Sequence, residues 1–276
     1  MSKRNDSDLI KKGVGIKIFG ALVFFFLYFP LIIVVIYSFT TSRTLVGENS
    51  ATLKWFAQLL QDEALIEAFL HSLIVGFISV FCALVLGTAG AFFITKVNFP
   101  GKGVFRAMIL LPYILPPIII GLTLLIFIRM LNIQLSAFTI ILGHIAFTTP
   151  IVVLQVSGRL ERMGPNYQFA AQDLGANPVQ TFFYVTLPMI KTALIGAGLL
   201  AFTVSFDEII ISYFLTGTWM TLPVYIYGMM RFGLSSKIFA ISSVVLVMSL
   251  FIVVIMSKYI GRAGDEVRVK KRKQTE

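Results

Sequence analysis

The chain has 276 residues, 57% of them hydrophobic and 13% charged, with a formal net charge of +10. A water-soluble domain of this length cannot keep so much apolar surface dry, so the composition excludes a soluble globular enzyme and indicates an integral membrane protein. The positive balance does not point to nucleic acid, because the cations cluster in short segments between long apolar runs.

Six apolar runs are long enough to cross a hydrocarbon core of roughly 30 Å, at about 16–39, 70–94, 105–128, 138–157, 192–215 and 239–258. They divide the chain into a cytoplasmic N-terminal segment (1–15), a six-span domain (16–258) and a basic cytoplasmic tail (259–276). The first run follows Lys11, Lys12 and Lys17, but it is too long for a cleaved signal and no small-x-small site follows it, so it reads as a retained anchor. Lys and Arg number five as far as Lys17, three in 95–106, three in 158–191 and seven after 257. The alternate segments 40–69, 129–137 and 216–238 carry two, one and two. Cytoplasmic segments are enriched in Lys and Arg, so both termini and the 158–191 loop are expected on the cytoplasmic side. The tail motif VRVKKRK either rests on anionic lipid or is simply solvated.

Cys82 lies inside a span, where it reads as a small buried hydrophobe. The third run contains LPYILPP (111–117), and each proline removes a backbone donor and kinks or breaks a helix. Two readings stand: a hinge beside a transport path, or a static kink that shapes packing. No phosphate-cradling G-x-x-x-x-G-K-[ST] occurs, nor H-E-x-x-H, nor G-x-S-x-G. His71 and His144, in different spans, have no Cys or carboxylate spaced as metal ligands and read as hydrogen-bonded or interface histidines. Neither a catalytic nor a metal site is expected.

Between the fourth and fifth runs lies FAAQDLGANPVQTFFYVTLP (169–188), too polar to cross a bilayer and too apolar for an ordinary loop. Asn166 suits the N-cap of a short helix to about Leu174, and Gly175 suits the left-handed residue that ends it. Asn177-Pro178 starts a second helix, expected to run through Phe182, Phe183 and Val185 until Leu187-Pro188 interrupts it. No Lys or Arg lies between Met163 and Ile190, which argues against DNA binding and against a helix held on lipid by charge. A protein-docking protrusion and a helix packed under the bundle remain as equal readings.

The spacing of this loop resembles the coupling loop of ABC importer permeases, in which E-A-A is followed after three residues by Gly and nine residues later by Ile-x-Leu-Pro. Ala170 and Ala171, Gly175, Val185 and Leu187-Pro188 match that spacing, while Phe169 stands at the acidic position. The resemblance implies coupling residues Phe169, Ala170, Ala171, Asp173, Gly175, Ala176, Leu187 and Pro188, with docking that relies on apolar contact in place of the missing glutamate. LTLLIFIRMLNIQL, GHIAFTTPIVV, LLAFTVSFDEIIISYFLTG and TLPVYIYGMMRFG extend the likeness to permeases of the spermidine/putrescine group. It implies an all-α, six-span, type I ABC importer permease in the bacterial inner membrane, with a cytoplasmic coupling helix between spans four and five. Implied partners are a homologous second permease packed against the first span, a cytoplasmic ATPase dimer, an external solute-binding protein and the lipid bilayer, with no nucleic acid. ATP and Mg belong to the ATPase, and this chain carries no cofactor.

The fifth run carries SFDEIIIS. At 1.5 Å per residue, Asp207 lies about 22 Å along a helix from Thr192, in the outer half of the bilayer. Charges at that depth usually face a cavity or a partner. On a continuous helix Thr203 sits beside Asp207, and Ser205 and Ser212 share the face of Glu208, which makes a polar stripe suited to a di- or polycation. The competing reading is that the carboxylates bond neighbouring helices, pair with Arg129 or Arg231, or lie at headgroup level. The external segment 216–238, with Trp219, Tyr225 and Tyr227, is expected by resemblance to dip toward the path or face the binding protein. Residues 40–69, with Glu48, Asp62, Glu63 and Glu67, form the other external surface. Three rivals stand: an importer for another solute (an opine, an amino-acid derivative or an organophosphorus compound), a self-sufficient secondary transporter, and an intramembrane enzyme. The last lacks a nucleophile–base or metal constellation.

Overall fold

The computed structural model describes residues 6–41, 51–164, 166–233 and 235–251; the expected tail 259–276, Glu48 and the end of the sixth apolar run lie outside them. The described residues are helical: α1 (Asp6–Ser38), α2 (Lys54–Leu60), α3 (Glu63–Lys96), α4 (Lys102–Ile114), α5 (Pro117–Met130), α6 (Ala137–Met163), α7 (Asn166–Asp173), α8 (Pro178–Gln180), a π-helical segment (Thr181–Thr186), α9 (Leu187–Phe206), α10 (Ile210–Leu215), α11 (Leu222–Met230) and α12 (Ser236–Phe251). No strand occurs among them beyond one isolated bridge between Thr40 and Ala51.

Four helical stretches are long and apolar enough to cross a membrane: Gly15–Ser38, Glu63–Lys96, Ala137–Met163 and Pro178–Phe206. The pair α4 and α5 makes a fifth if counted as one crossing. The third apolar run is therefore a broken pair and not the single bent span expected, with a bend of 102° between its halves. Pro116 and Pro117 explain the break. Pro116 stands at the N-cap and Pro117 in the first turn of α5, where a missing N–H costs nothing, while Leu115 adopts the extended backbone that precedes a proline.

The described residues fall into two compact units. In the first, which holds α1, α2 and α12, the Tyr37 and Phe239 rings meet at 5.7 Å between centroids. Lys237 Nζ donates to Asp62 Oδ2 at 2.5 Å, and the Trp55 indole N–H donates to Thr40 O at 2.6 Å. The apolar side chains of α1 are exposed along most of its length, Phe19, Leu22 and Phe26 among them. Surface of that kind is stable only against lipid or another apolar protein face.

The second unit holds α3 to α10 and most of α11. Its helices pack through small residues, as membrane helices do when close approach replaces the hydrophobic effect. A Cβ on Gly87 of α3 would lie 2.6 Å from that of Val152 on α6, and one on Gly143 of α6 would meet Leu215 at 2.5 Å and Ile211 at 2.7 Å. Two buried clusters result. Ala83, Ala91, Val152, Val156, Ile190 and Ala197 join α3, α6 and α9. Val75, Ile120, Ile140, Phe147, Ile211 and Leu215 join α3, α5, α6 and α10. Leu187, near the end of the 166–188 element, packs against the first cluster, and Ile211 of the second lies three residues after Glu208.

Candidate functional site

Cap chemistry builds the 166–188 element locally. Helix α7 ends in a Schellman arrangement: the Ala176 N–H donates to Ala171 O at 3.0 Å and the Gly175 N–H to Gln172 O at 2.8 Å. Gly175 has φ +87°, the left-handed conformation expected of it. Two residues on, Asn177 Oδ1 accepts from the Gln180 N–H at 2.8 Å, and Gln180 Oε1 accepts from the Asn177 N–H at 2.9 Å, a complete capping box with Pro178 in the first turn. The Gln168 amide donates to Thr186 Oγ1 at 3.3 Å and ties α7 to the chain beyond the turn.

The second helix does not stop at Leu187-Pro188, contrary to the sequence expectation. Residues 178–206 form one helical stretch, and the segment before the proline widens into a π-helix in which the Leu187 N–H reaches Phe182 O. A proline in a regular α-helix clashes with the carbonyl four residues back; the wider π turn before Pro188 accommodates it without ending the helix. Of the expected coupling residues, Phe169, Ala170, Asp173, Gly175 and Pro188 are exposed, and Ala171, Ala176 and Leu187 are half-buried. Leu174, Val179, Phe183 and Tyr184 add to this surface, so the element presents aromatic and aliphatic side chains outward.

The acidic pair lies where α9 ends. The expected continuous helix over 192–215 is broken: α9 stops at Phe206, and α10 starts at Ile210. The single polar stripe is therefore split. Asp207 and Thr203 are exposed and one turn apart, with the Asp207 N–H on Thr203 O at 3.2 Å. Glu208 is only 9% exposed, and its Oε1 accepts from the N–H groups of Ile210 and Ile211 at 2.8 and 3.0 Å. A carboxylate that satisfies the N–H groups just after it competes with the helical pattern, which accounts for the break at this position. Ser205 and Ser212 are buried and face neither carboxylate; both bond to His144, at 2.7 Å to Nδ1 and 2.8 Å to Nε2.

His144 is a buried, hydrogen-bonded histidine, one of the two readings expected of it. A lone polar side chain in an apolar run was its only signal, since its partners lie 61 and 68 residues away. His71 is also engaged: its ring stacks on Trp219 with centroids 3.7 Å apart, and its Nδ1 lies 2.9 Å from Met220 O. Ser72 Oγ accepts from the Leu222 N–H at 2.8 Å, so the segment after α10 is fastened to the start of α3. Among the described residues no group of three or more His, Cys, Asp or Glu could hold a metal ion.

Residues 83–262 match the family described as binding-protein-dependent transport system inner membrane component. The spermidine/putrescine transport system permease protein PotC of Escherichia coli (strain K12) is 32% identical, over 88% of this chain and 92% of that protein. The putrescine transport system permease protein PotI of the same strain is 35% identical, over 82% of this chain and 83% of its own length. In three dimensions the chain resembles one from a bacterial alginate ABC transporter crystallised in complex with an alginate pentasaccharide-bound periplasmic protein. The TM-score is 0.70 with 16% identity, over 94% of this chain and 98% of that one, so the likeness is one of fold.

Proposed function

The chain belongs to the family of binding-protein-dependent transport system inner membrane components, and on that premise we propose that it is the permease subunit of an ATP-driven importer for polyamines such as spermidine and putrescine. The observation that carries the solute class is the near-full-length identity of 32% and 35% to two polyamine permeases, joined to an exposed carboxylate at a break in an apolar helix. In this reading the chain has six spans of the type I importer fold, with both termini and the 166–188 element in the cytoplasm of a bacterium. A second, homologous permease covers the apolar face of α1. An external binding protein delivers solute, and a cytoplasmic ATPase dimer binds ATP and Mg.

Transport proceeds by alternating access. Nucleotide closes the ATPase dimer, which moves the 166–188 element and shifts a two-state bundle from one opening to the other. The exposed aromatic surface of the element, with Phe169 in place of an acidic residue, supports docking by apolar contact. On the opposite side, Asp207 and Thr203 offer a solute ammonium group a charged oxygen and a neutral one.

The test is uptake of labelled spermidine by proteoliposomes holding the whole assembly, with and without internal ATP. ATP-dependent uptake that Asp207→Asn abolishes in an intact assembly is the expected result. Failure to move spermidine, in an assembly that transports another solute at the expense of ATP, would keep the permease and remove the polyamine.

A further inference from the structure

We propose that His144 is a positioning residue for the solute path: by bonding to a serine on each side of the break between α9 and α10, it fixes the break and so the place where Asp207 is presented. The inference rests on the path reading given above for Asp207.

Ser205 belongs to the last turn of α9 and Ser212 to the first turn of α10, and one imidazole joins them with bonds of 2.7 and 2.8 Å. In an uninterrupted helix those serines would stand about 10.5 Å apart along the axis, whereas one ring with a hydrogen bond at each nitrogen spans less than about 8 Å. The two-sided bond therefore favours the broken chain over a straight one. A neutral imidazole has one N–H and one bare nitrogen, and a hydroxyl both donates and accepts, so all three groups are satisfied without a buried charge. His144 is 2% exposed, which leaves no water to substitute for either serine.

The surrounding contacts place His144 at the joint, beside Glu208, whose carboxylate accepts from the N–H groups of Ile210 and Ile211 at the start of α10. Helix α10 is anchored to α6 at its far end as well, where Thr139 Oγ1 donates to Leu215 O at 2.8 Å. Gly143, next to His144, admits Ile211 and Leu215 to a distance that any side chain would block. Helix α9 packs separately, on α3 and α6 through the cluster around Ala197 and Ala201. Between these two anchored bodies only residues 207–209 are non-helical, and His144 holds the chain on both sides of them.

The experiment uses the assembled transporter with Cys82→Ser and a reporter cysteine, Asp207→Cys, in proteoliposomes treated with a charged, membrane-impermeant thiol reagent. Losing both buried hydrogen bonds at the joint should change the labelling rate about tenfold or more in His144→Leu. Ser205→Ala and Ser212→Ala remove only a hydroxyl, keep the fold if His144→Leu does not, and should change labelling in the same direction. Either serine change combined with His144→Leu should add little, because the three groups act as a unit. Without the reporter, His144→Leu should lower the apparent affinity for spermidine while ATP hydrolysis stimulated by the binding protein persists, a split that general destabilisation would not give. Labelling unchanged across all three variants would overturn the proposal. Altered labelling in a protein whose Asp207→Asn variant still imports normally would leave the joint in place and remove the solute role of Asp207.

Discussion

Gly175 needs its lack of a side chain for backbone reasons alone: a Cβ there would meet no atom within 4 Å, but φ is +87°. A β-branched residue in that conformation costs about 1–2 kcal/mol, and Asn tolerates it better. Gly175→Val should thus uncouple ATP hydrolysis from uptake in an assembly that still inserts, while Gly175→Asn stays coupled; parallel assays of both activities decide it. The two acidic residues should separate just as cleanly. Glu208→Ala leaves the N–H groups of Ile210 and Ile211 without their acceptor, the second of them buried, and should lower stability by about 1–3 kcal/mol, read as a fall in the melting point of the detergent-purified assembly. Asp207→Asn, on the exposed side, should leave melting unchanged and act on uptake. The pair was legible in the sequence as two carboxylates at membrane depth. Which of them is buried was not, because that depends on where the helix breaks.

Helix identity was largely legible, since hydropathy and capping act over a few residues. The turn at Gly175 and the capping box at Asn177 follow from side chains within three positions of each other. Two element-scale features were not. LPYILPP announced a disturbance, yet the size of the bend comes from how α4 and α5 pack. Likewise Leu187-Pro188 looked like a helix stop and is absorbed by a π segment, because the chain on either side is held by Thr186 and Ile190, both buried. Close helix approach gives a prediction at this scale. Gly87→Val places a side chain against Val152 and should destabilise the bundle by about 1–3 kcal/mol, whereas Gly196→Ala, in a helix with no neighbour within 4 Å, should not lower the melting point and by helix propensity should raise it slightly.

At the scale of the molecule, exposed apolar side chains on α1, α3 and α5 require a surrounding of lipid or partner protein. The uneven placement of Lys and Arg predicts which side each segment occupies. A single cysteine at Asn177, in a Cys82→Ser background, should react with an impermeant thiol reagent in inside-out vesicles and not in right-side-out ones. Reaction only from the opposite side would invert the proposed topology and detach the 166–188 element from any cytoplasmic ATPase.

The sequence by itself determined the membrane class, the apolar runs and the spacing of the 166–188 element, because hydropathy and cap chemistry are local. Only the tertiary structure decided that the acidic helix is broken at 207–209, that Glu208 turns inward while Asp207 faces out, and that His144 joins Ser205 to Ser212. The His144 bonds span 61 and 68 positions and form only when α6 packs against α9 and α10, and they act together with the local bonds of Glu208 to the Ile210 and Ile211 N–H groups. A pattern read along one helix carries no record of the neighbour that will bend it.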